Sequence, residues 1–419
     1  MRIVIFAAGS QGDIQPCIRL GKGLQGVGFD ILLAAPQNFA DLSSEYDLPF
    51  HPLRGDVQKI MAGETGREFM ERSGANPIQS IISMRKMLGP IATQMAEDAL
   101  EASRDADAFI TLAVFAPFGK TIAEIHGIPL ILVEPTPVLP TADFPAPGFP
   151  LQKNLGGMFN RLSGFAMLEV IWQWYRPFVN EFRKRYGLRP MHGSDIYRIL
   201  TFTPLLGAYS PMIIPQPSDW SEDAHITGYW FQDHISDWHP SVELESFLEE
   251  GEPPVYVGFG SMAGRDPERF SKIVLDALLK TGQRGVIATG WGGMNVMQVP
   301  KTVFVLDSAP HGWLFRRMSA VIHHGGAGTT AEGLRAGVPS VIVPFTVDQP
   351  FWGKQVKTLG VGPEPIPASK LTSNALADAI QLTITDSKMR ERAASIGEAI
   401  RMEDGVGKAV NIVRQYLGA

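Results

Sequence analysis

Two histidines and a glycine run, His323-His324-Gly325-Gly326-Ala327-Gly328-Thr329-Thr330, lie between a short apolar stretch and a helical pattern that ends at Gly337. Strand, glycine turn, helix start: that order suits a pyrophosphate. Gly325, Gly326 and Gly328 let the backbone come close to a ligand. Free N–H groups at Gly328, Thr329 and Thr330 are expected to point at it from the helix N-terminus. A second apolar run, Ser340–Pro344, carries Asp348 and Gln349 to its C-terminal end, where open parallel sheets bind ligands. This pair supplies acceptor oxygens and a donor amide, which suits sugar hydroxyls; a turn-forming Asp is the other reading. A nucleoside diphosphate carrying a polyhydroxyl group is the simplest ligand for the whole stretch. Far away in sequence, Asp13 follows the first apolar run in AAGSQGDIQP. A carboxylate there serves either as a proton acceptor at the end of a strand or as a helix N-cap. The residues alone leave both open.

The elements that must hold these residues follow from hydrophobic periodicity. Strands are expected at Arg2–Ala7, Phe29–Ala34, Ala108–Thr111 and Leu130–Val133, with helices at Ile14–Val27, about Ile78–Ser103 and Phe115–His126. Glu134–Pro150 contains six prolines and reads as a long ordered loop. Leu151–Tyr186 is helical, and Leu205–Tyr209 is read as the last strand of the first domain. Ile213–Pro240 has no clear period and reads as a connector. A second series has strands at Val255–Phe259, Gly285–Ala288, Val303–Leu306, Ala320–Ile322 and Ser340–Val343. Helices fall between them and at Thr372–Thr383, Ser387–Arg401 and Val406–Leu417. Strands alternating with helices mean doubly wound parallel sheets. The expected fold is therefore α/β, with two Rossmann-like domains facing each other across a cleft.

Composition narrows the chemistry. The chain has 419 residues and a net charge of −6, so it lacks the basic excess that nucleic acid demands. Its single cysteine, Cys17, allows no intramolecular disulfide and fits a reducing compartment. MRIVIFAA is too short for a signal peptide, and no uncharged run approaches the ~20 residues that span a bilayer. The expected location is cytoplasmic, with any membrane contact peripheral. No GxGxxG and no GxxxxGK[ST] is complete, which argues against nicotinamide and P-loop chemistry. Asp105-Ala106-Asp107 has the DxD form but leads directly into a strand and reads as a turn. His323 and His324, adjacent on a strand, face apart and do not make a metal site. No metal or cofactor is expected.

The run HHGGAGTT…GLRAGVPS…PF..DQPFWG resembles the donor-binding signature of the nucleotide-sugar glycosyltransferases with two facing doubly wound domains (GT-B). It is most similar to the sterol and lipid glucosyltransferase branch. GS.GD.QP and the FP.P pattern at Phe144 extend the resemblance, more thinly, into the first half. The resemblance implies an acceptor domain at 1–212, a linker at 213–240, a donor domain at 241–400 and a terminal helix at 401–419 that crosses back to the first domain. It implies Asp13 as general base and His324 as a diphosphate ligand, with Gly326, Gly328 and Thr329 as backbone phosphate donors. Ser261 becomes a second phosphate contact, with an N-cap as the plainer reading. Ala309 meets the base through its backbone, Glu332 binds ribose, and Asp348 with Gln349 holds the hexose. The plant branch has Trp where this chain has Ser308, so stacking by that residue is not implied here; Trp313 and Trp291 are read either as substitutes that stack on the base or as core residues.

The acceptor side is read from apolar residues. Met61, Phe69, Met84, Met87 and Met95 lie on helices of the first half, and Met-rich faces line adaptable pockets as well as cores. Phe115, Phe144, Met84 and Met87 are the acceptor candidates. Arg161–Arg189 mixes Trp172, Trp174, Tyr175, Phe178 and Phe182 with arginines and Lys184, a composition that fits either a solvated face or contact with anionic membrane. The expected reaction is inverting transfer of glucose from UDP-glucose, which is a substrate and not a cofactor, to a hydrophobic alcohol such as a sterol or triterpenoid. The alternatives are a natural-product transferase using a UDP- or dTDP-sugar on a macrolide, polyketide or flavonoid, and an epimerase or hydrolase of nucleotide sugars.

Overall fold

Strand and helix alternate from the first residues, and the chain builds two parallel sheets. The computed structural model describes residues 1–55, 63, 77–231, 238–260, 266–289 and 299–419, with the backbone alone at 77–80 and 90. Two compact units are formed, Met1–Phe231 with Asp404–Ala419, and Gln232–Glu403.

The first unit runs β1 (Arg2–Phe6), α1 (Gln11–Gly26), β2 (Asp30–Pro36), α2 (Ala40–Glu45), β3 (Phe50–Leu53), α3 (Pro77–Ala102), β4 (Ala108–Leu112), α4 (Ala116–His126), β5 (Leu130–Glu134), α5 (Gly157–Arg185), α6 (Gly193–Phe202), β6 (Leu205–Gly207) and β7 (Ala224–Ile226). Its sheet is seven-stranded and parallel, in the order β3-β2-β1-β4-β5-β6-β7. Successive residues of β1 feed opposite cores, because side chains alternate across a strand. Ile3 and Ile5 join the cluster that contains Ile14 and Ile18 of α1. Val4 and Phe6 join the cluster beneath α3, α4 and α5. Both faces are covered, which is why the strand reads as an unbroken apolar run.

Two strands escape the sequence pattern. β3 contains Pro52, which is tolerated because β3 lies at the sheet edge. β7 is only Ala-His-Ile and lies inside the stretch 213–240 read as a linker, so the first sheet does not end at Leu205–Tyr209. The proline-rich segment between β5 and α5 carries no regular element.

The second unit runs α7 (Val242–Glu249), β8 (Val255–Gly258), α8 (Pro267–Thr281), β9 (Gly285–Ala288), β10 (Val303–Leu306), α9 (His311–Leu314), β11 (Ala320–His323), α10 (Ala327–Ala336), β12 (Ser340–Ile342), α11 (Gln349–Thr358), α12 (Ser373–Thr385) and α13 (Ser387–Arg401). Its five strands are parallel in the order β10-β9-β8-β11-β12. His323 is in register with Gly258 on one side and Ile342 on the other, so the three strand ends form one line. The last helix, α14 (Gly405–Leu417), belongs to the first unit, where Ala409, Val410 and Val413 pack into the cluster of β1 and α1. Gly23 of α1 makes room for it, since a Cβ there would lie 2.5 Å from Val406.

In each sheet the strand order reverses once, between β1 and β4 and between β8 and β11. The crevice outside the strand ends at such a reversal is where open α/β sheets bind ligands. Asp13 follows β1, and His324 follows β11.

Candidate active site

Asp13 lies in the first turn of α1, and the helix is capped by Ser10. The N-cap reading of Asp13 is thereby corrected. The carboxylate reaches back from the third helical position, and its Oδ2 accepts from the Ser10 N–H at 2.7 Å and the Ser10 hydroxyl at 2.8 Å. Gly9 is held at φ 137°, and a Cβ there would stand 2.4 Å from Oδ2. The turn therefore requires glycine twice over, for its backbone and for the space the carboxylate fills. Burial pushes the Asp13 carboxyl above its ordinary range, and the two Ser10 hydrogen bonds oppose that rise. The buried Tyr175 phenol and Cys17 thiol are raised in turn, first by burial and then by the charge of Asp13. Cys17 is accordingly a packed, protonated thiol.

Phe115 stands at the end of β4, across the reversal point from Asp13. Its ring lies 5.3 Å from Phe6 and 6.0 Å from Tyr175. Phe144, in the proline-rich segment, packs edge-on to Trp220 at 6.5 Å. Met84 and Met87 are buried against Leu88 and Trp174, and Met95 lies in the main core, so little of any of them is left to meet a ligand. Met61 and Phe69 lie outside the described residues, as do Ser261 and Trp291.

In the second unit the glycine turn does what its composition requires. Gly325 adopts φ 89° and donates its N–H to His323 Nδ1 at 3.1 Å. His323 is fully buried, and its ring lies 6.3 Å from that of His324 and at 84° to it. Gly326 caps α10. The Thr330 N–H, expected to be free, is taken by the Gly326 carbonyl at 2.9 Å. That correction leaves the donors of the first turn at Ala327, Gly328 and Thr329. His324 Nε2 lies beside this turn, 2.5 Å from where a Cβ on Gly326 would be. Its Nδ1 is enclosed and has no hydrogen-bond partner among the described residues.

His311, which sequence reasoning passed over, joins this group. It stacks on Phe315 at 4.5 Å and meets the Tyr256 hydroxyl through Nε2 at 3.4 Å. The signal lay in Pro310-His311, a polar residue at a helix start shortly after the strand Val303–Leu306. Burial pushes His324 down to about 4, and burial with the neighbouring His324 pushes His311 down to about 4 as well. Both are neutral at pH 7. A histidine whose folded pKa is depressed binds fewer protons than its unfolded form, so stability falls as pH drops from about 6.5 through 4. Each contributes on the order of 3 kcal/mol to that loss, taken singly. Chemical denaturation at pH 7 and pH 4.5 is expected to show the second unit weakened at the lower pH, and His311→Gln is expected to flatten the slope.

Glu332 lies one turn along α10, with Oε2 3.3 Å from where a Cβ on Gly312 would be. Ala309 packs partly buried near Leu314 and Phe315. Trp313 is engaged by Trp238 at 5.0 Å and by the Arg317 guanidinium at 4.0 Å. Asp348 and Gln349 open α11, but neither is as free as the sequence implies. Gln349 is buried, and its Oε1 accepts from the Phe345 and Thr346 N–H groups at 2.8 and 3.1 Å. Asp348 Oδ2 accepts from the Trp352 indole at 2.9 Å. Between them and the strand, Val347 is held at φ 55°, a costly conformation for a β-branched residue. The Gln349 bonds staple that turn, which leaves Nε2 as the amide group able to reach a ligand. Asp107 of the DxD lies at the opposite end of its sheet, accepting from the Arg2 N–H at 2.7 Å.

Known proteins fit this geometry. Residues 3–142 match the glycosyltransferase family 28 N-terminal domain, and residues 273–404 match the C-terminal domain of erythromycin biosynthesis protein CIII-like proteins. An O-mycaminosyltylonolide 6-deoxyallosyltransferase of Streptomyces fradiae is 34% identical over 99% of the chain and 97% of its own length. The chain belongs to the glycosyltransferases. A sterol 3-beta-glucosyltransferase of Arabidopsis thaliana is 36% identical over the whole chain, which spans 66% of that relative, just under two thirds of its length. The first of these relatives is named for deoxyallosyl transfer and the second for glucosyl transfer. The solved structure of the kitacinnamycin glycotransferase superposes with a TM-score of 0.75 over 99% of both chains at 19% identity, a likeness of fold.

Proposed function

We propose that this glycosyltransferase moves glucose from UDP-glucose to the hydroxyl of a hydrophobic alcohol of the sterol or triterpenoid class, with inversion and with Asp13 as general base. The observation that carries the reading is the Asp13 carboxylate, half-buried after β1 and held by Ser10 at the reversal point of its sheet. As the acceptor oxygen bonds to the anomeric carbon, its proton passes to Asp13. The bond from that carbon to the diphosphate breaks, and UDP leaves with the electron pair. An ordinary carboxylate is a weak base toward an alcohol; burial strengthens it. His324 and the first-turn N–H groups of α10 receive the charge of the departing diphosphate. Glu332 binds the ribose, and Asp348 with the Gln349 amide nitrogen binds hexose hydroxyls. No divalent metal takes part.

The test is mass spectrometry of pooled sterols and polyphenols after incubation with UDP-glucose in EDTA. Hexosyl sterols are expected; their absence alongside hexosyl polyphenols rejects the acceptor class. A second reading has its own support. The Streptomyces fradiae relative, which shares nearly its full length with this chain, is a deoxyallosyltransferase. If dTDP-deoxysugars are consumed with a macrolide acceptor and UDP-glucose is not, the protein is a natural-product transferase using the same base.

A further inference from the structure

The aromatic residues of α5 that resemble a membrane-facing set in sequence are packed inside. Trp172, Tyr175 and Phe182 are buried in the main core, and Trp174 and Phe178 pack against it. What α5 exposes instead is its N-terminal half. Met158, Leu162 and Phe165 are 80%, 59% and 43% exposed, at the i, i+4, i+7 spacing of one helical stripe. The Phe165 ring touches exposed Tyr197 of α6 at 5.2 Å, so the stripe continues onto a second helix. Large apolar side chains scattered singly need no explanation; a contiguous row across two helices does.

Charge singles out one occupant. Residues 151–202, which contain the stripe, hold eight Lys and Arg against three Asp and Glu in a chain whose net charge is −6. Arg161, Arg183, Arg185 and Arg189 are paired with Asp219, Glu124, Glu97 and Asp195, while Lys153, Arg176, Lys184 and Arg198 are exposed. Glu169, also exposed, is hydrogen-bonded to Gln173. Exposed apolar residues on a segment with an excess of solvated cations, in an otherwise acidic protein, match an anionic bilayer surface and not a second copy of this chain. We propose that the α5–α6 stripe of Met158, Leu162, Phe165 and Tyr197 docks on anionic lipid surfaces. The inference deepens the hydrophobic-acceptor reading, since such an alcohol resides in a bilayer, but its test does not depend on turnover.

The full chain is to be sedimented with phosphatidylcholine vesicles, with and without about 30% phosphatidylserine. Wild type is expected to pellet with the anionic vesicles, and the Met158→Ser/Leu162→Ser/Phe165→Ser variant to bind at least tenfold more weakly. Leu382→Ser, at an exposed apolar residue of α12, is the control and should bind as wild type does. These side chains are exposed, so an unchanged melting temperature separates lost docking from lost folding. Failure of wild type to pellet, or equal pelleting by the triple variant, overturns the proposal. A lipid-free dimer that the triple variant dissociates also overturns it, because the face would then be an interface between copies. Vesicle binding without sterol glucosylation would sink the acceptor class and leave the docking surface standing.

Discussion

Asp13→Asn is expected to lower turnover by about a thousandfold, the size of a lost general base, while UDP affinity stays at the wild-type value. The substitution is nearly isosteric, and an Asn oxygen at the same place still accepts from the Ser10 N–H and hydroxyl. The start of α1 therefore survives. Stability separates the two roles further. The Asp13 carboxyl is raised by burial, so the folded state binds more protons than the unfolded state between the unfolded pKa and the folded one. Stability is consequently lost as pH rises through that window, and at neutral pH the ionised carboxylate is a cost to the fold. Asn removes that cost. The variant should melt a few degrees higher than wild type at pH 7 and no higher well below the unfolded carboxylate pKa. An inactive protein with raised stability is what a base held for chemistry predicts. Near-wild-type turnover, measured with UDP binding by calorimetry, would remove Asp13 from the mechanism. Gly9→Ala should also lower turnover, because its Cβ would displace Oδ2 without touching the charge, but at φ 137° it should lose stability where Asp13→Asn gains it.

Much of this was legible in the residues because the strands are buried on both faces. β1, β4 and β8 announce themselves as apolar runs, and the glycine turn after β11 carries its own geometry. Strands without a pattern were not legible. β3 contains a proline and β7 is three residues long; each exists because a neighbouring strand offers an edge to pair with. The candidate site follows the same division. Its position at the strand ends was readable from chain order. The Ser10 cap was not, since Ser10 and Asp13 are both good caps and only the backbone decides between them. How much of Gln349 is left for a ligand was unreadable for a related reason. A side chain's hydrogen-bonding capacity can be read from its type, but not how much of it a strained turn such as that at Val347 consumes. His311 needed tertiary contact, the stack on Phe315, to become visible at all.

The second large effect concerns a residue with no functional group. Gly326→Ala is expected to reduce kcat/KM by about a hundredfold, close to the loss from His324→Ala, the range seen when one donor to a developing anion is removed. Gly326 has φ −61°, so alanine brings no backbone strain. Its Cβ would, however, stand 2.5 Å from His324 Nε2 and 3.3 Å from Cδ2. The ring must move, and its other nitrogen is already enclosed, so the displacement carries Nε2 away from the first turn of α10. Because the imidazole is neutral at pH 7, with its pKa held near 4 by burial, what is lost is a positioned dipole and not a charge. The effect should therefore persist with rising salt, where a lost ion pair would be screened. Gly328→Ala is the contrasting case. Nothing lies within 4 Å of a Cβ at that position, so it should leave His324 in place and reduce kcat/KM far less. The double variant Gly326→Ala/His324→Ala decides whether the glycine acts through the histidine. If it is no worse than either single change, the two report one interaction. If the losses multiply, Gly326 serves the diphosphate through its own backbone, and the role assigned to His324 has to be reduced accordingly.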